Sequence, residues 1–390
     1  MIEIKNPEDC CGCTACENVC AHNAITMVPD ALGFLYPKVD LSRCVNCKLC
    51  EKVCAFKSDY EKDSLLAKPL AYAARHRKMQ EVETSRSGAA FIALSDYILE
   101  SGGVVYGVGY NNHFQVVHKR ATTKEERDEF KGSKYVQSEL DTIFSQVRQD
   151  LKNGFTVLFS GTPCQTAGLD SFLSERLKKR LYLVDVVCHG TCSPSVWKDY
   201  LEFLSSKYNK AITNVNFRDK QLFGWTDNHE SFSFEGDKEK KYFKYLFYKP
   251  WHFRMSCYKC RYCNMKRPSD ITLADFWGWE KIVPTLNTDD KGLSLVIINT
   301  EKGRTLFGKI KKDLYTTEVS LNECLQPNMQ HPTPMHHYRI PFEQDYAAKG
   351  FKHVYFKYGE DGWRYKMEQK KWQVLNRFSY LKRLYSYFVR

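Results

Sequence analysis

One spacing constrains this chain more than any other feature: Cys10, Cys13, Cys16 and Cys20 recur 34 residues later as Cys44, Cys47, Cys50 and Cys54. With Cys11, nine of the 16 cysteines thus fall before residue 55, and the next is Cys164. The clustering predicts a small module over residues 1–60. A charged stretch poor in large apolar side chains, residues 57–68, reads as the linker that follows it. Between the repeats, apolar residues 24–28 and 33–36 flank Pro29-Asp30, which predicts a hairpin joining two loop-helix arms. The chain opens without an apolar leader, and no apolar run approaches the roughly 20 residues that span a bilayer. A cytoplasmic address is expected. In that reducing compartment thiols are seldom spent on structural disulfides, so this many cysteines point to metal ligands or redox chemistry. A hydrophobic fraction of 43% with mean hydropathy −0.50 excludes a disordered chain and an integral membrane protein. The 390 residues suggest two or three domains at a prior of about 100–200 residues each.

The run C-x2-C-x2-C-x3-C puts three thiolates on one tight loop, close enough to grip three corners of a cubane, while the fourth cysteine opens a helix pointing elsewhere. Here the sequence resembles a bacterial two-cluster ferredoxin over about 50 residues, both repeats intact. In such ferredoxins the fourth cysteine of each run serves the other cluster. The resemblance therefore implies that Cys10, Cys13, Cys16 and Cys54 hold one 4Fe-4S cluster, and Cys20, Cys44, Cys47 and Cys50 the second. Gly12, Thr14 and Ala15 are small enough to leave amide donors free to face the cluster. Ala21 and Ala55 stand where that pattern usually has proline. Paired zinc sites are the competing reading, disfavoured by the x3 arm and its cross-over. Cys11 has no place in the count and reads as a spare thiol.

Beyond residue 70, short apolar runs alternate with amphipathic stretches, which predicts an α/β domain. Strands are expected at 104–110, 156–160, 181–187 and 294–300, and helices at 89–100, 140–152 and 196–208, the last capped by Ser193 with Pro194 at its first position. Residues 217–248, rich in aromatics and charges, give no clear pattern. Cys164 and Cys188 each follow a predicted strand. In open α/β sheets that edge carries the ligand crevice, so topology alone can bring distant cysteines together. Two of Cys257, Cys260 and Cys263 would complete a tetrathiolate.

An ordered series of motifs then resembles the coenzyme F420 hydrogenase/dehydrogenase beta-subunit family, iron-sulfur flavoproteins that pass electrons between a cluster, FAD and a soluble substrate. The series comprises Ser87-Gly88, Gly132-Ser133-Lys134-Tyr135-Val136-Gln137-Ser138, Gly161-Thr162-Pro163-Cys164-Gln165, Cys188-His189-Gly190, Cys257-Tyr258-Lys259-Cys260 and Ser269 to Gly278. With the ferredoxin unit it covers about three quarters of the chain. It implies an α/β (α+β) flavin- and cluster-binding domain over residues 70–345, preceded by the ferredoxin domain. It further implies a third 4Fe-4S cluster on Cys164, Cys188, Cys257 and Cys260, with Cys263 a rival for Cys260. Half a zinc ribbon is the alternative for residues 257–263, but no second close cysteine pair follows. Cys192 and Cys324 read as buried thiols.

No G-x-G-x-x-G opens a helix after a strand, so a Rossmann nucleotide site is not supported. The resemblance instead places FAD on Ser87-Gly88 at a helix start and on Gly132, Ser133, Lys134, Tyr135 and Gln137, with Lys134 supplying charge to the pyrophosphate. Asp270, Thr272 and Asp275 are candidates for ribityl or ring contacts, and His189 for tuning the cluster or donating a proton. No catalytic residue is assigned. The expected activity is transfer of electrons from a soluble one-electron donor through the clusters to FAD, then to a small-molecule hydride acceptor, a deazaflavin of the F420 type or another organic compound. An electron-transfer module without its own flavin, and a zinc-binding interaction protein, are the alternatives. Net charge is +12, and more than half of it lies in residues 362–390. There Val374, Leu375, Phe378, Leu381, Leu384, Tyr385 and Phe388 recur at helical spacing among Lys370, Lys371, Arg377, Lys382 and Arg383. A basic aromatic helical tail, residues 346–390, is expected, suited to an anionic membrane surface or an acidic partner. Specific nucleic-acid binding is not expected, since basic charge alone gives only nonspecific attraction.

Overall fold

The computed structural model describes residues 1–56, 60, 62, 64–243, 246–359, 362, 366, 367 and 370. In the N-terminal unit, β1 (Ile25–Pro29) and β2 (Leu35–Val39) pair antiparallel, with Ile25 opposite Val39. The Asp30 carboxylate forms their turn by accepting from the amides of Leu32 and Phe34, both at 2.9 Å. The internal duplication is written in the backbone as well as in the cysteines. Gly12 and its counterpart Asn46 have φ of 72° and 53°, and Thr14 and its counterpart Lys48 have 62° and 60°. These left-handed residues curl each loop around its thiols and lead into the short helices Ala15–Asn18 and Leu49–Lys52.

The rest of the chain is built on an eight-stranded mixed sheet. Its strands are β3 (Leu65–His76), β4 (Val104–Tyr110), β5 (Val116–Ala121), β6 (Val157–Gly161), β7 (Leu181–Val186), β11 (Ile271–Asp275), β12 (Ser294–Thr300) and β13 (Leu314–Val319), in the spatial order β13-β3-β12-β11-β7-β6-β4-β5. The four central strands, β11, β7, β6 and β4, run parallel. Alternate residues of these strands are buried on opposite faces. Val105, Leu158 and Val184 pack under the helices Ala90–Glu100 and Glu301–Ile310, whereas Val104, Val157 and Leu183 pack under Ile143–Lys152 and Pro163–Phe172. Burial on both faces explains their near-continuous apolar sequence. The strands expected at 104–110 and 294–300 have those limits, that at 156–160 moves one residue along the chain at both ends, and that at 181–187 is one residue shorter.

Two segments differ from the sequence expectation. β3 begins at Leu65, inside the expected linker, and its pairing with β12 slips between Leu70 and Leu65; the irregularity flanks Pro69, which has no amide to give to a ladder. Upstream, Tyr60 and Lys62 bond Asp170 at 2.9 and 3.3 Å. The illegible stretch contains β9 (Glu230–Phe234) and β10 (Lys241–Phe243), which form a small antiparallel sheet with β8 (Ile212–Asn216). This sheet shares an aromatic core, including Trp197, Tyr200, Phe217, Phe232 and Phe247, with the helices Pro194–Tyr208 and Arg339–Tyr358. Ser193 caps the former by accepting from the Val196 amide. The latter runs across residue 346, where the tail was expected to begin, breaks at Gly350 with φ 73°, and beyond the break buries Phe351, Val354, Tyr355 and Tyr358. The amphipathic stripe from Val374 to Phe388 lies outside the described residues. No helix among them is long and apolar enough to cross a membrane.

Gly88 shows why its loop needs glycine: an added Cβ would stand 2.3 Å from the carbonyl oxygen of Ala74 and 2.6 Å from the amide of Ser294, both backbone. Gly88→Ala is expected to cost about 1–3 kcal/mol, an overpacking penalty, measured as the shift in an anaerobic urea transition. An unchanged midpoint would show that the loop yields freely.

Candidate functional site

The cross-over of the fourth cysteines is visible in the N-terminal unit. Cys20, from the first repeat, lines one cavity together with Cys44, Cys47 and Cys50 from the second. The amide of Ala24 donates to Cys20 Sγ at 3.4 Å and that of Ile2 to Cys50 Sγ at 3.2 Å, the kind of N–H···S bond that stabilises a reduced cluster. Cys47 is exposed, which puts this set at the surface. The reciprocal set is gathered around Cys16, whose thiol burial pushes well up, with the charges of Cys13, Cys10 and Cys54 adding to the effect. Such thiols cannot all ionise in an apolar site unless something positive sits among them, which is what iron supplies.

The later cysteines meet at the sheet edge. Gly161 at the end of β6 is in register with Asp185 near the end of β7, so the segments that follow emerge side by side. Cys164 enters the first turn of the helix Pro163–Phe172, where Thr162 and Gln165 form a capping box, and Cys188 follows β7 by two residues. Cys192 stitches the remaining segments to these. It bridges Val136 on one side and Phe253 on the other, its amide donating to the Tyr135 carbonyl at 2.9 Å. The Arg254 amide donates to the Thr191 carbonyl at 3.2 Å, which delivers Cys257 and Cys260 to the same place. Cys188 feels the charges of Cys257, Cys164 and Cys260; Cys257 feels Cys260 and Cys164; Cys260 feels Cys164. All six pairs of the expected quartet are therefore within electrostatic reach. Burial pushes the Cys188 thiol well up and that of Cys257 to about 12. The Gly190 amide donates to Cys188 Sγ at 3.4 Å.

Two thiols stand beside this quartet. Cys263 hydrogen-bonds Cys260 and lies 3.9 Å from the Cys188 carbonyl oxygen. Cys11, read from sequence as spare, is buried and hydrogen-bonded to both Cys13 and Cys164. It occupies the seam between the first ferredoxin set and the quartet. Among the described residues no three His, Cys, Asp or Glu side chains close on a single ion; the corners of a cubane stand further apart than the ligands of one ion.

The ferredoxin unit is seated on the larger domain at several points. Asn18 donates to the Asp141 carbonyl at 2.9 Å and accepts from Ser145, Tyr262 donates to the Ala55 carbonyl at 2.9 Å, and Lys259 pairs with Glu8 at 2.6 Å. The residue after Cys54, alanine rather than proline, thus packs with Tyr262, Cys164 and Cys260.

Next to Cys188, through His189, stands a cluster of polar and aromatic side chains around Arg218. His189 stacks on Tyr135 with ring centroids 5.3 Å apart. The guanidinium of Arg218 donates to Asp275 Oδ2 at 2.5 Å, to the Tyr135 hydroxyl at 3.4 Å and to the Trp225 carbonyl at 3.1 Å, and lies over the Trp277 ring. Trp277, 40% exposed, stacks on the buried Trp225 at 4.9 Å. Asp275 ends β11 at the same sheet edge that carries Cys164 and Cys188. Arg86 reaches the carbonyls of Arg218 and Trp225, and burial beside Arg218 brings its guanidinium down to about 10. Two buried polar atoms here, Arg86 Nε and the Tyr248 hydroxyl, have no hydrogen-bond partner among the described residues. Positive charge, aromatic faces and unsatisfied donors fit an anionic aromatic cofactor.

The expected flavin residues are distributed unevenly around this cluster. Tyr135 and Asp275 are joined through Arg218. Ser87 and Gly88 lie near it: Lys220 donates to the Ser87 carbonyl at 3.5 Å, and burial beside Arg86 lowers its amine to about 7. Gly132 and Ser133 are half-buried on the adjoining loop. Lys134 donates to the carbonyls of Glu129 and Lys131 at 2.9 and 2.8 Å, and burial lowers its amine to about 7. Gln137 faces the ferredoxin, donating to the Cys11 carbonyl at 2.9 Å. Thr272 lies within β11 and Asp270 immediately before it, Asp270 accepting from the Leu183 amide at 2.9 Å and Thr272 from Asn299 at 3.0 Å. Sequence reasoning missed Arg86, Arg218 and Tyr248, because a buried arginine carries no pattern that distinguishes it from an exposed one.

Residues 155–323 match the family described as coenzyme F420 hydrogenase/dehydrogenase, C terminus of the beta subunit, and residues 9–58 match the 4Fe-4S dicluster domain. Among solved structures the chain is similar to a chain of the F420-reducing [NiFe] hydrogenase complex from Methanosarcina barkeri, at 15% identity and a TM-score of 0.46, over 76% of this chain and 94% of that one. None of the curated proteins matches.

Proposed function

We propose that this chain, whose residues 9–58 match a 4Fe-4S dicluster domain and whose residues 155–323 match the family named for the C terminus of the coenzyme F420 hydrogenase/dehydrogenase beta subunit, is an iron-sulfur flavoprotein oxidoreductase. The observation that carries the reading is the position of Cys164, Cys188, Cys257 and Cys260: mutually close, joined to the first ferredoxin set through Cys11, and linked through His189, the neighbour of Cys188, to Tyr135 in the cluster around Arg218. A thiolate quartet there fits a third 4Fe-4S cluster, and the side-chain group of Arg86, Arg218, Tyr135, Tyr248 and Asp275 fits FAD. Bound together, clusters move single electrons while flavin stores two, so one-electron donors can drive two-electron chemistry. The exposed set with Cys47 then faces a soluble donor protein, and exposed Trp277 marks the side from which a small organic hydride acceptor arrives.

In this reading the protein's own groups have distinct tasks. The N–H···S bonds from Gly12, Ala24, Ile2 and Gly190 stabilise negative charge on the sulfurs. Arg218 orients Tyr135 and Asp275, and the Trp225–Trp277 stack flanks them. A limit near residue 60 divides the ferredoxin from this catalytic unit, which continues past residue 345 through Tyr358. The test is anaerobic purification followed by iron, sulfide and flavin assay, with about twelve irons expected from three cubanes and one FAD. Twelve irons without flavin would reduce the protein to an electron-transfer subunit; zinc in place of iron would end the reading.

A further inference from the structure

Arg254 is 1% exposed, yet no carboxylate is among its hydrogen-bond partners. Its Nε donates to the Cys10 carbonyl at 2.7 Å, Nη2 to the Leu35 carbonyl at 2.8 Å and Nη1 to Gln137 Oε1 at 3.1 Å. The guanidinium plane lies 4.3 Å from the Tyr36 ring centroid and 5.5 Å from that of Phe34. Gly12 leaves the room this requires, since a Cβ there would stand 2.7 Å from Nη1. A cation held this deep costs several kcal/mol unless negative charge answers it. The titratable groups that act on it most strongly are Cys10 of the first ferredoxin set, then Tyr36, Cys11 and Cys257 of the quartet, so its charge reaches both thiol sets that meet at the seam. No cysteine of the surface set is among them.

We infer that Arg254 is a potential-setting residue. It holds the ferredoxin against the larger domain and stabilises the reduced state of the two inner centres, on Cys10/Cys13/Cys16/Cys54 and on Cys164/Cys188/Cys257/Cys260, relative to the surface centre on Cys20/Cys44/Cys47/Cys50. Each centre gains one negative charge when it accepts one electron, and a fixed buried cation favours that state wherever the low dielectric leaves it unscreened. Electrons arriving at the surface set therefore run inward. Arg254 is a positioning residue: it bonds the Cys10 and Leu35 carbonyls, Gln137 and the Cys10 thiol, and acts on the centres through its charge.

This inference rests on the three-cluster reading above, and redox titration of the full-length protein followed by electron paramagnetic resonance separates the two. Two variants are compared with the parent: Arg254→Met, which removes the charge, and Gln137→Glu, which places a carboxylate against the guanidinium without removing any core volume. In both, the reduced fraction of the two inner centres at a fixed potential is expected to fall at least tenfold in ratio, about 59 mV for a one-electron couple, with the surface centre unmoved. Arg254→Lys, which keeps the charge, restores most of the difference. Unchanged inner potentials in Gln137→Glu, or an equal shift of all three centres, would overturn the inference even if Arg254→Met fails to fold. A parent protein with fewer than three centres would instead sink the reading on which it rests.

Discussion

Cys257→Ala should leave a protein with about eight irons instead of about twelve, both ferredoxin signals intact, and flavin that no longer accepts electrons readily from the clusters. The reason for choosing Cys257 is its surroundings. Cys164 has Cys11 hydrogen-bonded beside it and Cys260 has Cys263, so either loss can be answered by a neighbouring thiol. Cys257 has Thr191 Oγ1 at 3.8 Å and otherwise the quartet itself. Loss of a ligand should slow flavin reduction by at least roughly 10–100-fold, the range for damage to a metal's supporting shell, and stopped-flow absorbance of the flavin reads it. Cys260→Ala should keep more iron than Cys257→Ala. Full iron content and unaltered flavin reduction in Cys257→Ala would show that the quartet holds no centre on the electron path.

Arg218→Met should release the flavin and spare the iron. Its guanidinium joins Asp275, Tyr135 and the Trp225 carbonyl and lies over Trp277, so its removal unties four neighbours at once. It also strands the Asp275 carboxylate, left with only the Trp225 indole at 3.3 Å among the bonds described for its side chain. Removing one partner of a buried pair costs about 3–5 kcal/mol, enough to lower flavin affinity by at least tenfold. Flavin released on denaturation, set against iron in the same sample, is the measurement. Equal flavin occupancy in parent and variant would move the cofactor away from Arg218.

Sequence made the ferredoxin unit legible because its constraints are local. Three thiolates must sit on one loop, and the same left-handed turns recur at Gly12 and Asn46, Thr14 and Lys48. The central strands were legible for a different reason: burial on both faces leaves an uninterrupted apolar run. Meeting of Cys164 with Cys188 followed from the rule for strand ends, whereas the arrival of Cys257 and Cys260 depends on the isolated bridges through Cys192, which no local pattern announces.

What stayed hidden was governed by contacts distant in sequence. β3 escaped notice because Lys68 and Pro69 look like a linker, and only the slipped pairing with β12 accommodates them. β9 and β10 mix charges with aromatics because their small sheet packs one face on Trp197 and Tyr200. The motif carrying Asp270, Thr272 and Asp275 runs the length of β11. Period-two alternation cannot tell that the first two are used in bonds to neighbouring strands while the third reaches the ligand edge. Arg254 and Cys11 were invisible for a related reason: their roles arise at a seam between two domains.

The central claim, that thiols far apart in the chain converge on an inorganic centre next to the side-chain group around Arg218, is tested most directly by anomalous diffraction at the iron edge from crystals of the anaerobic protein. Three iron peaks are predicted, one of them enclosed by Cys164, Cys188, Cys257 and Cys260. Two peaks confined to the N-terminal unit, or a zinc-edge signal at the quartet, would contradict the account.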